Sequence, residues 1–240
     1  MGTGNVMHDY QEEAMASTSI DVRISQAYLE LARSYESGIA RSVVSDVSQP
    51  DALNQANRAT TTFAFAALST VFSYAAIEAF VNHELFHIWE HAREAHDIIE
   101  TIQRSDPSRR YVALFDNFHR KYGRFFPFKA LQSTDLRDLT ERIKTICRAH
   151  ELPLIHESDF RLWENLLRLE ETRHLLIHPT PEHSAFNKVI ERVFSTEPYH
   201  LYPETAASVI RFFFTSAKAQ PPDYLNGNRL FAIHNIDILY

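Results

Sequence analysis

Hydrophobic residues along this chain recur mostly at three- and four-residue intervals, the spacing of one face of an α-helix. Ile20, Val22, Ile24, Tyr28, Leu31 and Ala32 predict an amphipathic helix from Ser19 to about Val47, with Gly38 as a candidate interruption. Pro50 follows a polar break and suits the first turn of the next helix, which the pattern carries to about Ala95. The middle of that second helix, Phe63 to Val81, is apolar almost all round, as expected at the centre of a bundle. Thr, Ser and Glu78 interrupt it too often for a membrane span.

Residues 96–156 read as a helical insertion. Asp106-Pro107 opens one helix there, with Tyr111, Leu114, Phe115 and Phe118 at helical spacing and Gly123 and Pro127 at its end. Thr134 or Asp135 opens another, carrying Leu136, Leu139, Ile143 and Ile146 and stopped by Pro153. A further helix runs from about Ser158 to Ile177. Thr180-Pro181 reads as an N-cap and first-turn proline for a helix to about Phe194, and Pro203 starts a last helix closed by Pro221-Pro222. The expected organisation is a loose tail over 1–18, a helical domain over 19–220 and a C-terminal tail over 221–240 docking on the bundle.

Composition agrees with helices. Only 5 of 240 residues are glycine, too few for folds that need glycine in turns and phosphate loops, and 45% are hydrophobic, enough for a substantial core. The formal net charge of −7 excludes a general polyanion binder, so any nucleic-acid contact must be local. A single cysteine, Cys147, excludes an intrachain disulfide and fits a reducing compartment. With no signal-like N-terminus and no run of 18 apolar residues, the expectation is a cytoplasmic protein without membrane attachment.

The candidate chemistry lies at the end of the helix from Ser158. Leu162, Leu166, Leu169, Arg173 and Leu176 form one core-facing stripe, so Arg173 occupies a position where an apolar residue is expected and needs a partner. On the second helix, Val71, Tyr74, Glu78, Val81 and Leu85 make a similar stripe, which predicts that Glu78 faces Arg173, with Asn82 one turn further on. Residues five apart on a straight helix point about 140° apart. Pro179 disfavours helical geometry at His178, so the helix should end there and release the imidazole towards Arg173.

Arg173-His174-Leu175-Leu176-Ile177-His178 resembles the motif of the HEPN superfamily: arginine, a polar residue, three further residues, histidine. Glu78 and Asn82 look like the acidic and polar positions that many members carry on an earlier helix. The resemblance covers Asp51–Arg93 and Asp159–Phe214. It implies an all-α HEPN-type helical bundle with the additional helical insertion, and a metal-independent endoribonuclease without a cofactor. It also implies a homodimer whose two motifs share one cleft. In such an enzyme His178 moves a proton at the ribose 2′-hydroxyl or the leaving 5′-oxygen, Arg173 stabilises the phosphate charge, and the product is a 2′,3′-cyclic phosphate. Many relatives are toxins or antiviral effectors. Others are non-catalytic modules that bind nucleotides or partners, which remains the first alternative. Some toxins carry a tyrosine two residues after the histidine that a partner nucleotidyltransferase modifies. Thr180 stands at that position here, a departure from the antitoxin pattern.

A competing motif is His83-Glu84-Leu85-Phe86-His87, a literal H-E-x-x-H. On a helix it sets two imidazoles on one face with Glu84 as a general base, the arrangement of a zinc hydrolase. His91, another turn on, lies about 12 Å along the axis from His83, too far to share an ion with both. Arg104, Arg109, Arg110 and Tyr111, with His119, Arg120, Lys121 and Arg124, form a basic, aromatic segment suited to guiding RNA.

Overall fold

A computed structural model describes residues 24–38, 52–105, 116–120, 138–178 and 202–226. Every regular element among them is helical and none is a strand. We number them α1 (24–38), α2 (Ala52–Ser105), α3 (116–120), α4 (Leu139–Ala149), α5 (Ile155–Ser158), α6 (Phe160–Ile177) and α7 (Tyr202–Ser216), followed by a 3₁₀ turn at Asp223–Asn226. The expected tail 1–18, the helix over 180–194 and the final residues 227–240 lie outside the described residues, as do Asp106-Pro107 and Thr134-Asp135.

The chain divides into two compact units. One holds Glu78–Trp163; the other holds Val22–Ile77 with Glu164–Tyr240. The divisions fall inside α2 and α6, whereas the sequence suggested an insertion bounded at 96 and 156. α2 is continuous through 96, so residues 96–105 belong to the long helix and do not begin a separate element. Its apolar run meets the length and composition of a membrane span, and half of that run is buried against protein.

In the unit that contains α1, hydroxyl groups solve the problem of an apolar helix with polar residues in it. Thr70 and Ser73 donate to the carbonyls of Ala66 and Ser69 within α2, and Ser69 donates to Ala32 O of α1 at 2.9 Å. Ser25 of α1 donates to Ala76 O at 2.8 Å. Pairing 25 with 76 and 32 with 69 makes α1 and α2 antiparallel. Ala32, Ala66 and Ala76 are fully buried, so the backbones approach closely, and Tyr35 stacks on Phe72 at 5.7 Å. Of the expected stripe on α1, Ala32 is fully buried and Ile24 is exposed, and Leu29, outside that stripe, is fully buried as well. Gly38 is helical and is the last described residue of α1; a Cβ there would meet the Phe65 ring at 3.1 Å, so glycine permits that close contact.

α7 presents Ala206, Val209, Ile210 and Phe213 to the core. Behind it, Arg33 donates to the carbonyls of Tyr224 and Leu225 at 2.7 and 3.0 Å, and Arg211 donates to Leu225 O at 2.8 Å. Two guanidiniums thus dock the 3₁₀ turn, whose Tyr224 and Leu225 are buried.

In the other unit, Leu139, Ile143, Ile146 and Cys147 form the buried face of α4. Burial pushes the Cys147 thiol up to about 11, so it stays protonated and unreactive at neutral pH. α4 ends four residues before Pro153. Glu151 takes φ 57°, Leu152 N–H bonds Cys147 O and Glu151 N–H bonds Arg148 O. That is a Schellman ending built on a glutamate. α7 ends the same way on Lys218, φ 58°, with Ala219 N–H on Phe214 O, ahead of Pro221-Pro222. Asp159 caps α6 through its carboxylate, which accepts from Leu162 N–H at 2.9 Å.

Candidate functional site

The end of α6 is fixed from the inside. Leu162, Leu166 and Leu169 are buried as the stripe requires, and the next buried position is Thr172. Its hydroxyl lies 2.8 Å from the Tyr202 hydroxyl of α7 in a buried contact, and it also donates to Arg168 O. Leu175 and Leu176 pack with Phe63 and Phe65 around Ala66. Thr172, just before the motif, is therefore held by a buried hydroxyl pair, and Leu175 and Leu176 within it by apolar packing.

Arg173 is half-buried, and its guanidinium sits over the Tyr74 ring at 4.8 Å from the centroid. A cation over a ring face is worth about 0.5–1 kcal/mol when exposed and about 2 when desolvated. The stripe had offered Glu78 as the partner. The ring of Tyr74, one turn earlier on that same stripe, lies against the guanidinium, and Glu78 pairs with Arg142.

α6 stops at Ile177, where Pro179 requires it to stop. His178 nevertheless keeps one helical bond: its N–H donates to His174 O at 2.9 Å. Its imidazole consequently lies beside that of His174, ring centroids 5.1 Å apart, with both residues exposed. The expected swing towards Arg173 is replaced by this pairing. Proline removes its own N–H and constrains the residue before it, but leaves the donor of His178 free to use the carbonyl four residues back. The structure brings His174 and His178 together and gives Arg173 a separate partner.

Glu78 and Asn82 also meet. Both accept from Nη1 of Arg142, at 3.2 and 2.9 Å, which ties the polar edge of α2 to α4. Sequence spacing missed Arg142, although it lies three residues after Leu139 and beside Ile143, on the flank of the stripe that packs α4.

His83 and His87 share one face as the H-E-x-x-H spacing dictates, ring centroids 4.3 Å apart and edge to face. His83 is buried, and Nε2 of His87 is buried without a hydrogen-bond partner. Glu84 lies 3.6 Å from Nε2 of His150, and Nδ1 of His87 lies 3.8 Å from Glu90. Among the described residues no group of three His, Cys, Asp or Glu side chains is arranged to hold a metal ion. Of the basic segment, Arg104 pairs with Glu100 at 2.8 Å and Arg120 with Asn117 at 2.9 Å, both exposed; Arg109, Arg110, Tyr111, Lys121 and Arg124 lie outside the described residues.

No protein-family model, no curated protein and no solved structure matches this chain.

Proposed function

We propose that the chain is a metal-independent endoribonuclease of HEPN type, acting in the cytoplasm as a toxin or antiviral effector. The observation that carries the reading is the Arg173-His174-x3-His178 motif itself, set at a helix end with its imidazoles in solvent and with Leu175 and Leu176 packed inwards. In the reaction, the ribose 2′-oxygen attacks phosphorus and the 5′-oxygen leaves. The proton of the 2′-hydroxyl passes to a base and another is delivered to the 5′-oxygen, leaving a 2′,3′-cyclic phosphate and a 5′-hydroxyl. His178 serves one of these proton steps, His174 is the polar member of the motif, and Arg173 offsets the phosphate charge. A second copy of the chain completes the cleft with its own motif. Glu78 and Asn82, held by Arg142, act as positioning residues that order their stretch of α2. RNA is the substrate, and an antitoxin or nucleotidyltransferase is the class of protein partner.

RNA cleavage in excess EDTA tests this reading. The wild type should cleave, and His178→Ala should lose about 10²–10⁴-fold, the usual worth of a general acid–base group. Loss of wild-type activity in EDTA sinks the metal-free mechanism, and full activity in His178→Ala sinks the assignment of the histidine. His83→Ala, checked for folding, separates the zinc hydrolase alternative, against which the Glu84–His150 contact already argues. One observation favours a non-catalytic nucleotide- or partner-binding module: Arg173 and His178 have different partners. Nucleotide binding without any cleavage would identify that module.

A further inference from the structure

We infer that His174 and His178 form a two-imidazole chelate for one divalent transition-metal ion of the Zn²⁺, Ni²⁺ or Cu²⁺ class. Imidazole nitrogen is a preferred ligand for these ions. The two histidines are four residues apart at the end of α6, and the bond from His178 N–H to His174 O holds that spacing although His178 lies one residue past Ile177, the last of the helix. An ion about 2.0–2.1 Å from one nitrogen of each ring, at tetrahedral or right angles, sets the ring centres about 4.5–5.2 Å apart. The observed separation is 5.1 Å, with the rings inclined at 49°.

Access distinguishes this pair from the H-E-x-x-H pair. His174 and His178 are both exposed, so an ion can arrive hydrated and keep water in its remaining positions. No third His, Cys, Asp or Glu completes a cage among the described residues. His83 and His87, in contrast, are 4.3 Å apart and edge to face, and Nε2 of His87 has no contact with solvent.

The consequence rests on the ribonuclease reading. An ion on His178 occupies the lone pair that would accept or relay the proton, so occupancy switches cleavage off and a chelator restores it. Metal and protons compete for the same nitrogens, so the ion is held more weakly in acid.

Titration of the full, tag-free chain with Zn²⁺ and separately with Ni²⁺, followed by calorimetry, tests the site directly. The expected result is one ion per chain, with affinity at least tenfold weaker in His174→Ala and in His178→Ala and unchanged in His91→Ala, an exposed histidine elsewhere on α2. Imidazole NMR signals of His174 and His178 should shift first. No uptake, or equal uptake by the doubly substituted chain, overturns the proposal. Cleavage assays separate it from the functional reading: a chain that binds one ion but cuts no RNA keeps the site and loses the ribonuclease. A chain whose His178-dependent cleavage is indifferent to Zn²⁺ overturns the site.

Discussion

Arg173 shows what spacing can and cannot reveal about a single residue. Its place on an apolar stripe marked it as a charge in need of company, and it does have company, in the Tyr74 ring at 4.8 Å. A stripe gives a face, while the identity of the facing atom depends on the axial offset between helices, which no sequence periodicity contains. The same blindness hid Arg142 from Glu78 and Asn82. A double-mutant cycle of Tyr74→Leu with Arg173→Gln, read by urea unfolding, should give a coupling of about 0.5–2 kcal/mol. A coupling indistinguishable from zero would mean that the ring only borders the guanidinium. Glu36 makes a second residue-scale case. Burial pushes its carboxyl from 4.5 up to about 7, with Arg33 opposing and Glu204 adding to the rise. The folded chain therefore holds more protons than the unfolded chain between about pH 4.5 and about pH 7, so this group makes stability fall as pH rises through that window. Solvent screening keeps the effect modest at a half-exposed site. Thermal unfolding of Glu36→Gln across the same window should show a shallower decline than the wild type; parallel curves would remove Glu36 from the account.

At the scale of elements, apolar periodicity identified α2, α4, α6 and α7, because long helices repeat their signal many times. Helix ends were less legible. Pro153 and Pro221-Pro222 were read as the stops for α4 and α7, yet both helices finish earlier, on Glu151 and Lys218 in the left-handed region. Glycine usually announces such an ending, and a chain with 5 glycines gives no such notice. A side chain at positive φ costs about 1 kcal/mol relative to glycine. Glu151→Gly and Lys218→Gly should each stabilise the fold by about 0.5–1 kcal/mol, visible as a higher midpoint in chemical denaturation. A lower midpoint in either would show that the lost side chain contributes more than the relieved backbone. α1 was read only in part: Ala32 lies in the expected stripe, but the Ser25 and Ser69 hydroxyl–carbonyl bonds that join α1 to α2 escape a search for apolar residues.

For the whole molecule, the two compact units divide at Ile77/Glu78 and Trp163/Glu164, within continuous helices, where composition carries no linker signal. Sequence patterning gave no hint of that boundary, since a helix shared between two cores looks like one long periodic segment. Charge, by contrast, is a property that the sequence states outright. At −7 the chain repels a polyanion at long range, so the proposed ribonuclease would contact RNA locally and through few cations. For single-stranded nucleic acid, each neutralised phosphate contributes about −0.7 to the slope of log affinity against log salt. A site built around Arg173 and its counterpart in a second copy predicts a slope of about −1.4 for kcat/KM measured with a short oligoribonucleotide, and about −2.1 with one flanking contact. Arg173→Gln should make the slope shallower by more than one contact's worth, because the substitution would be present in both copies of the proposed dimer. A steep wild-type slope, near that of an extended basic groove, would move RNA recognition away from the α6 motif and towards the basic segment around Arg104 and Arg120.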